Sequence, residues 1–365
     1  MINYKLLTPG PLTTTDTVKR EMLVDHCTWD EDYKKITRDI CARLLKLAHV
    51  DDDEYTAVLM QGSGTFGVES VISSVVPKDG KLAVLINGAY GRRIAEIAER
   101  HSIPLEKVEF EYNKIPDAET AERIIKENGI THLAMVHCET TTGILNDISS
   151  IGEVCKRNGV VYIVDAMSSF GGIDIDVKDL GVDFMISSAN KCIQGVPGFS
   201  FIIAKKSELM KTKGVADTLS LDLYDQWAGM SVDGKWRFTS PTHVVLAFSK
   251  ALEELEEEGG IEARYDRYLK NNTSLREKMA DMGFKAYVDK SVQSPIITTF
   301  EYPESSNFIF SFDEMYKYIK DRGYAIYPGK LDGMNTFRIG NIGEIYLEDI
   351  EKLCGIIKDY MEEKK

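Results

Sequence analysis

Basic residues are in short supply in this chain of 365 residues, which has 44 Lys and Arg against 58 Asp and Glu and a formal net charge of -14. General binding of nucleic acid needs Lys and Arg to displace counterions from phosphates. The charge therefore argues against a nucleic-acid partner. A small anionic ligand is not excluded, because a local site can be positive within an acidic protein.

Paired cysteines and long apolar runs are also missing. None of the six cysteines forms a C-x-x-C pair, and "MINYKLLTPGPL" has no signal-peptide pattern, so we expect reduced thiols in a cytoplasmic protein. No uninterrupted apolar run reaches the roughly 18 residues of a membrane span, and the histidines lack H-E-x-x-H spacing. We therefore expect no membrane segment and no metal site.

The apolar residues that are present form short runs, which alternate with helical patterns. This alternation is typical of βαβ units and a mainly parallel sheet, and it changes near residue 260. We predict an α/β fold with a large domain at 15–258 and a smaller α+β domain formed by 1–14 and 259–365. The strand-like runs lie at 56–60, 81–86, 132–137, 160–166, 182–189 and 198–206.

Polar or glycine-rich loops follow five of these runs, and their sequences are "GSGT", "NGAYG", "ETTTG", "DAMSS" and "SSANK". Ligands of open parallel sheets bind at the carboxyl ends of the strands. We therefore expect these loops to converge on one pocket.

The first of these loops belongs to "GSGTFG" at 62–67, which satisfies the G-x-G-x-x-G motif. A dinucleotide site would place an acidic residue about 20 positions later, at the end of the next strand, but that strand ends in Asn87. The alternative hypothesis of a nicotinamide-dependent oxidoreductase is therefore supported by the motif alone. The turn formed by Ser63, Gly64 and Thr65 still presents N–H groups and hydroxyls at a helix N-terminus, which suits a phosphate of any origin; an ordinary strand-to-helix turn is the alternative.

Two charged residues follow buried strands. Asp165 ends "VVYIVDA", where a carboxylate either caps the next turn or pairs with a buried cation such as a protonated pyridine nitrogen. Lys191 lies in the small-residue loop "SSANKCIQGVPG", either on a surface turn or as an amine nucleophile. A phosphate cradle, a buried carboxylate and a strand-end lysine together indicate pyridoxal 5'-phosphate, whose aldehyde forms an imine with lysine.

Two further residues have both a structural and a functional interpretation. Tyr90 in "NGAYG" either packs in the core or stacks on the cofactor ring. Arg338 in the apolar stretch "TFRIGNIG" either forms a structural ion pair or clamps a carboxylate or phosphonate through two nitrogens.

A resemblance to known proteins extends over nearly the whole chain. Long stretches, in the same order, resemble the class V, fold-type I pyridoxal-phosphate aminotransferases, and within that class the family that uses 2-aminoethylphosphonate and pyruvate. The resemblance implies a large domain with a mainly parallel sheet of the seven-stranded type, pyridoxal 5'-phosphate as cofactor, and a homodimer whose active site lies at the subunit interface. It is carried by "LLTPGPLTTTDTVK", "CTWDEDY", "LMQGSGT", "MVHCETTTGILN", "YIVDAMSSFGGI", "ISSANKCIQGVPGFSF", "KWRFTSPTH" and "FRIGNIGE".

The resemblance also implies a reaction and residue roles. The amino group of 2-aminoethylphosphonate would pass to pyruvate, giving phosphonoacetaldehyde and L-alanine. Lys191 matches the lysine that forms the imine, Asp165 the carboxylate at the pyridine nitrogen, and Tyr90 the stacking aromatic. Arg338 matches the arginine that binds the acid group of donor or acceptor. The other implied cofactor contacts are Ser63, Gly64, Thr65, Thr141, Ser188 and, from the neighbouring subunit, Thr239.

The nearest alternative is an alanine– or serine–glyoxylate aminotransferase, which has the same fold and anchors. The stretches "SPTH", "CTWDEDY" and "FRIGNIGE" favour the phosphonate family, through resemblance alone. A cysteine desulfurase would need a reactive cysteine on a mobile loop, whereas Cys354 lies in an apolar helical pattern.

Overall fold

The structure, a computed structural model, describes residues 4–304, 309–329, 331 and 333–364. The described β-strands are β1 (Lys5–Leu6), β2 (Tyr55–Gln61), β3 (Leu82–Ile86), β4 (Leu105–Glu109), β5 (His132–Val136), β6 (Cys138–Glu139), β7 (Ile144–Leu145), β8 (Val161–Asp165), β9 (Phe184–Ser188), β10 (Phe199–Lys205), β11 (Ile297–Glu301), β12 (Tyr324–Ala325), β13 (Tyr327–Pro328) and β14 (Thr336–Gly340).

Helices connect most of these strands. The described α-helices are α1 (Asp16–Arg20), α2 (Glu31–Leu47), α3 (Gly64–Val75), α4 (Ala89–Arg100), α5 (Ala118–Asn128), α6 (Ile148–Asn158), α7 (Lys206–Leu209), α8 (Leu223–Asp233), α9 (Thr242–Glu258), α10 (Gly260–Asp281), α11 (Phe312–Lys320) and α12 (Leu347–Glu363). None of the helices in the described ranges is long and apolar enough to cross a membrane.

The central sheet has seven strands in the order β2-β10-β9-β8-β5-β3-β4. Only β10 runs against its neighbours, and β9, β8, β5, β3 and β4 are parallel. Alternate residues of β3 join two hydrophobic clusters, Ala83 and Leu85 in one, Leu82 and Val84 in the other, as expected of a sheet covered on both faces. The predicted α/β fold with a mainly parallel sheet is confirmed.

Strand β4 has no counterpart among the apolar runs of the sequence. It lies at the edge of the sheet, and of its five residues only Val108 is buried. Its sequence "LEKVE" is therefore mostly polar, because an edge strand has less apolar surface to bury than a central one. The six runs that the sequence predicts correspond to β2, β3, β5, β8, β9 and β10.

A third hydrophobic cluster lies against a smaller sheet, which has the antiparallel order β11-β14-β13. The cluster joins Leu7 to residues from Leu275 to Met361, and β1 pairs with β12. Helix α10 begins at Gly260, where the alternating pattern of the sequence changes. Leu7 thus packs with the C-terminal part of the chain, in keeping with a small domain of 1–14 and 259–365. That division stays a prediction, and its end points at residues 1 and 365 lie outside the described residues.

Candidate active site

A cavity of about 190 Å³ lies where β2, β3, β8 and β9 end. These strands all point the same way, since β2 and β9 both run against β10, so their following loops meet at one edge. Of the residues singled out from the sequence, the cavity is lined by Ser63, Gly64, Thr65, Tyr90, Asp165, Ser188 and Lys191. Arg93, Met167 and Asn190 also line it, and the sequence analysis did not single them out.

The first turn of α3 is open towards this cavity. Ser63 is the N-cap residue, with φ -69° and ψ 171°, but no side chain caps the turn. A side chain at Gly64 would collide with that of Met167, so the turn comes close to the loop after β8. Because the first N–H groups of a helix have no partner within it, this turn is suited to an anion.

Asp165, the last residue of β8, is 5% exposed. Its Oδ1 accepts a hydrogen bond of 2.9 Å from the N–H of Met167. Burial raises the pKa of Asp165 to about 6, and the nearby Glu139 carboxylate adds to the rise, whereas Lys191 and Arg93 oppose it. A cation in the cavity would favour the ionised carboxylate.

The amine of Lys191 is held by the N-terminal segment of the chain. Its Nζ donates to the carbonyl oxygen of Pro9 at 2.8 Å. A Cβ at Gly10 would lie 2.7 Å from that Nζ, and Gly10 has φ +123°, so only a glycine fits against the lysine in this conformation. Burial lowers the pKa of Lys191, which favours the neutral, nucleophilic amine. No local pattern in the sequence predicts this contact, because its partners lie 182 positions apart.

Tyr90 is positioned by a carboxylate that the sequence analysis also missed. Glu139 is 0% exposed and accepts hydrogen bonds from the N–H groups of Tyr90 and Gly91, at 3.1 and 3.2 Å, at the start of α4. The carboxylate takes the place of an N-cap side chain, since the N-cap residue itself is Gly88. Burial raises the pKa of Glu139, and these hydrogen bonds oppose the rise.

Thr141 and Ser188 occupy different places at the site. The Thr141 hydroxyl donates to Glu139 at 2.6 Å and accepts from the N–H of Ala89 at 3.2 Å, and Thr141 is not among the residues that line the cavity. Ser188 does line it, and its hydroxyl donates to Asn190 Oδ1 at 3.1 Å.

Arg338 reaches from β14 of the smaller sheet to the larger part of the chain. It is 1% exposed, with Nη1 donating to the carbonyl oxygen of Thr140 at 3.0 Å and with Nε and Nη2 both donating to that of Pro328 at 3.1 Å. Burial lowers its pKa. These three bonds leave two of the five guanidinium N–H donors without a partner among the described residues.

Thr239 lies apart from these residues. It is exposed and does not line the cavity. Within one chain, therefore, the structure brings together all of the predicted cofactor residues except Thr141, which bonds with Ala89 and Glu139, and Thr239.

Comparison with known proteins gives consistent results. The sequence matches the family model described as "Aminotransferase class-V" over residues 29–330. A 2-aminoethylphosphonate–pyruvate transaminase from Lysinibacillus sphaericus (strain C3-41) is 58% identical over 362 residues, 99% of this chain and 98% of that protein. A bifunctional phosphonoacetaldehyde hydrolase/aminoethylphosphonate transaminase from Clostridioides difficile (strain 630) is 54% identical, over 98% of this chain and 56% of that protein.

The fold is similar to that of solved aminotransferases. The crystal structure of ureidoglycine–glyoxylate aminotransferase from Bacillus subtilis aligns with a TM-score of 0.91, over 99% of this chain and 93% of that one, at 22% identity. At this identity the likeness shows the fold alone.

Proposed function

Because the chain belongs to the class-V aminotransferases, and among them to the 2-aminoethylphosphonate–pyruvate transaminases, we propose that it transfers the amino group of 2-aminoethylphosphonate to pyruvate. The products are phosphonoacetaldehyde and L-alanine. The observation that carries this proposal is the convergence of Lys191, Asp165 and the uncapped turn of α3 on one cavity. The two substrates are those in the name of the similar transaminase from Lysinibacillus sphaericus, 98% of which this chain covers.

The residues of the cavity fit pyridoxal 5'-phosphate, the cofactor that the family implies. The uncapped first turn of α3 suits its phosphate. The carboxylate of Asp165 accepts one hydrogen bond from the described residues and can therefore pair with its ring nitrogen. Tyr90 would lie against the ring, and Ser188 would line the site. When bound, the cofactor supplies a pyridine ring that accepts electrons from a carbanion next to the amino group.

Lys191 would carry the cofactor and then move the proton. A lysine with a pKa lowered by burial is a better general base near neutral pH than an exposed one. As a general base it would take the proton from the substrate carbon that bears the amine, and as an acid it would deliver that proton to the cofactor carbon that receives the amine. Pro9, whose carbonyl accepts from Nζ, would orient the amine between these two steps.

Arg338 would bind the acid group of the donor or the acceptor. Two of its N–H donors have no partner among the described residues, and guanidinium donors bind the oxygens of a carboxylate or phosphonate. No carboxylate of the described residues pairs with it. An incoming anion would therefore pair a buried cation that donates to backbone carbonyls.

We also infer a homodimer with a shared site. Large apolar side chains are exposed at Leu23 (81%), Trp29 (69%), Leu219 (71%) and Phe238 (46%), and a partner subunit that covered them would remove apolar surface from water. Thr239, next to Phe238, would reach the phosphate of the neighbouring subunit.

The six cysteines are all unpaired, which supports a cytoplasmic protein. The division at 15–258 is proposed on the separate hydrophobic clusters.

A substrate comparison tests the function. We expect the purified protein, supplied with pyridoxal 5'-phosphate, to form L-alanine from 2-aminoethylphosphonate and pyruvate, with parallel double-reciprocal lines for the two half-reactions. Turnover of serine or alanine with glyoxylate, without turnover of 2-aminoethylphosphonate, would assign the chain to the glyoxylate alternative. Sedimentation of the protein as a monomer at assay concentration would contradict the shared site.

A further inference from the structure

Arg93 is a charged residue of the cavity to which no role has so far been given. It lies on α4, three positions after Tyr90, and lines the same cavity as the turn of α3. Its guanidinium carbon lies 4.9 Å from the centre of the Tyr90 ring. Its hydrogen bond to Thr65 Oγ1 is 3.4 Å long, beyond the usual range for a strong bond. No carboxylate of the described residues forms an ion pair with it.

The preceding residue, Arg92, has a different environment. Its Nη2 donates to Glu109 at 3.4 Å, and its guanidinium lies 5.8 Å from the centre of the Tyr112 ring. Adjacent residues on an α-helix point about 100° apart, so Arg92 lies towards the sheet edge and Arg93 towards the cavity. The pair offers two arginines of the same helix turn, only one of which lines the site.

The position of Arg93 indicates the kind of group that it would bind. Thr65 belongs to the first turn of α3, so the guanidinium and the N–H groups of that turn face one volume. A planar guanidinium binds oxyanions through two parallel hydrogen bonds, and a helix N-terminus also favours negative charge. A tetrahedral group with several anionic oxygens would engage both at once.

We propose that Arg93 is a further anchor for a dianionic phosphorus oxyanion at the α3 turn. The inference rests on the proposed function, which supplies two such groups, the phosphate of the cofactor and the phosphonate of the amino donor. The contact with Thr65 on the cradle turn points to the cofactor phosphate. The cation–π contact with the Tyr90 ring holds the guanidinium at the cavity.

The test compares two cofactor forms with three variants. The apoprotein is titrated with pyridoxal 5'-phosphate and with pyridoxal, which lacks the phosphate, and binding is followed by visible absorbance. We expect Arg93→Met to weaken the phosphorylated form at least about tenfold, the effect of losing a charge-assisted hydrogen bond, and pyridoxal by less than about twofold. Arg93→Lys, which keeps the charge without the fork, should lie between, and Arg92→Met should match the wild type.

The outcomes separate the two sources of the anion. If Arg93→Met instead leaves cofactor binding unchanged but raises the half-saturating concentration of 2-aminoethylphosphonate about tenfold, and not that of L-alanine, then the phosphonate is the bound group. Equal weakening of both cofactor forms, or no change in any of these constants, would overturn the proposal. If Arg93→Met does not fold, Arg93→Lys gives the same comparison. A wild-type protein that binds the cofactor without accepting 2-aminoethylphosphonate would refute the proposed function. The titrations with pyridoxal 5'-phosphate and pyridoxal would still test whether Arg93 binds the phosphate.

Discussion

The first turns of α3 and α4 both lie at the edge of the cavity, but their N–H groups have different partners. At α3 no side chain caps the turn, and its residues line the cavity. At α4 the buried carboxylate of Glu139 accepts from Tyr90 and Gly91. These N–H groups need an acceptor from outside the helix. The turn of α3 is therefore available to a ligand, whereas the turn of α4 already has a protein acceptor and serves the structure of the fold.

The two buried carboxylates of this region differ in the same way. Asp165 accepts one hydrogen bond from the described residues, that of the Met167 N–H. Glu139 accepts four, from the N–H groups of Tyr90, Gly91 and Thr141 and from the Thr141 hydroxyl. Both are buried, so burial alone does not mark the functional group. The number of hydrogen-bond partners already supplied by the protein separates a group that awaits a ligand from one that supports the fold.

The largest expected effect is that of Asp165→Asn on turnover. Asparagine cannot stabilise a proton on the ring nitrogen as a carboxylate does, so we expect kcat to fall about a thousandfold, the upper range for losing one electrostatic contact in an active site. The measurement is steady-state transamination with saturating cofactor. Asp183→Asn is the matched control, because Asp183 pairs with Lys205 and the N–H of Tyr162 at the start of β9. A kcat within threefold of the wild type for Asp165→Asn would contradict the assignment.

Glu139→Ala should instead act on stability. It leaves the first turn of α4 and the Thr141 hydroxyl without their acceptor, and we expect the free energy of unfolding to fall by about 3 kcal/mol, in the range for unpaired buried polar groups. Denaturant unfolding of the apoprotein measures this change. Glu96→Ala, at an exposed position of the same helix, should change stability by less than about 0.5 kcal/mol. Equal effects of the two substitutions on the free energy of unfolding would show that Glu139 does not stabilise the fold.

The pH dependence of cofactor binding should reflect Asp165. Its pKa in the apoprotein is raised to about 6, so the carboxylate is ionised above that pH and becomes protonated, and unable to pair with a ring cation, as the pH falls through it. We expect this to weaken cofactor binding by up to about tenfold per pH unit below the pKa. The cofactor phosphate also titrates near pH 6. The measurement is therefore the difference between the pH profiles of cofactor binding for the wild type and for Asp165→Asn. Parallel pH profiles for wild type and variant would contradict the prediction.

The smallest expected effects come from two threonines. Thr65→Val removes a hydroxyl from the open turn, and we expect cofactor affinity to fall about fivefold, as for one hydrogen bond. Thr141→Val removes the hydroxyl that donates to Glu139, and we expect about 1 kcal/mol less stability with a smaller change in affinity. The resemblance assigns Thr141 to the cofactor. Equal losses of affinity in both variants would favour that role and would break the distinction between the two turns.

Much of the fold and the centre of the site could be predicted from the sequence, because both depend on local patterns. Apolar runs of strand length alternate with helical patterns, and the loops that follow parallel strands meet at one edge. That rule predicts that Ser63, Asp165 and Lys191 lie close together, and the structure places all three in one cavity. Strand β4 was missed because its edge position leaves "LEKVE" largely polar.

The contacts that the sequence could not predict join distant parts of the chain. The carbonyl of Pro9 reaches Lys191 across 182 positions, and no local pattern links the two. Glu139 could be seen in "ETTTG", but its role depends on where α4 begins. The sequence "GRRI" does not show which arginine lines the cavity, because this depends on the rotation of α4 against the sheet.

The most direct test of the account is the identity of the lysine that carries the cofactor. The protein is loaded with pyridoxal 5'-phosphate, reduced with borohydride so that the linkage becomes permanent, digested, and analysed by mass spectrometry. We predict that the added mass lies on Lys191 and that Lys191→Ala retains the fold but acquires no label at any single site. Stoichiometric labelling of another lysine, or of Lys191→Ala as efficiently as the wild type, would contradict the central claim.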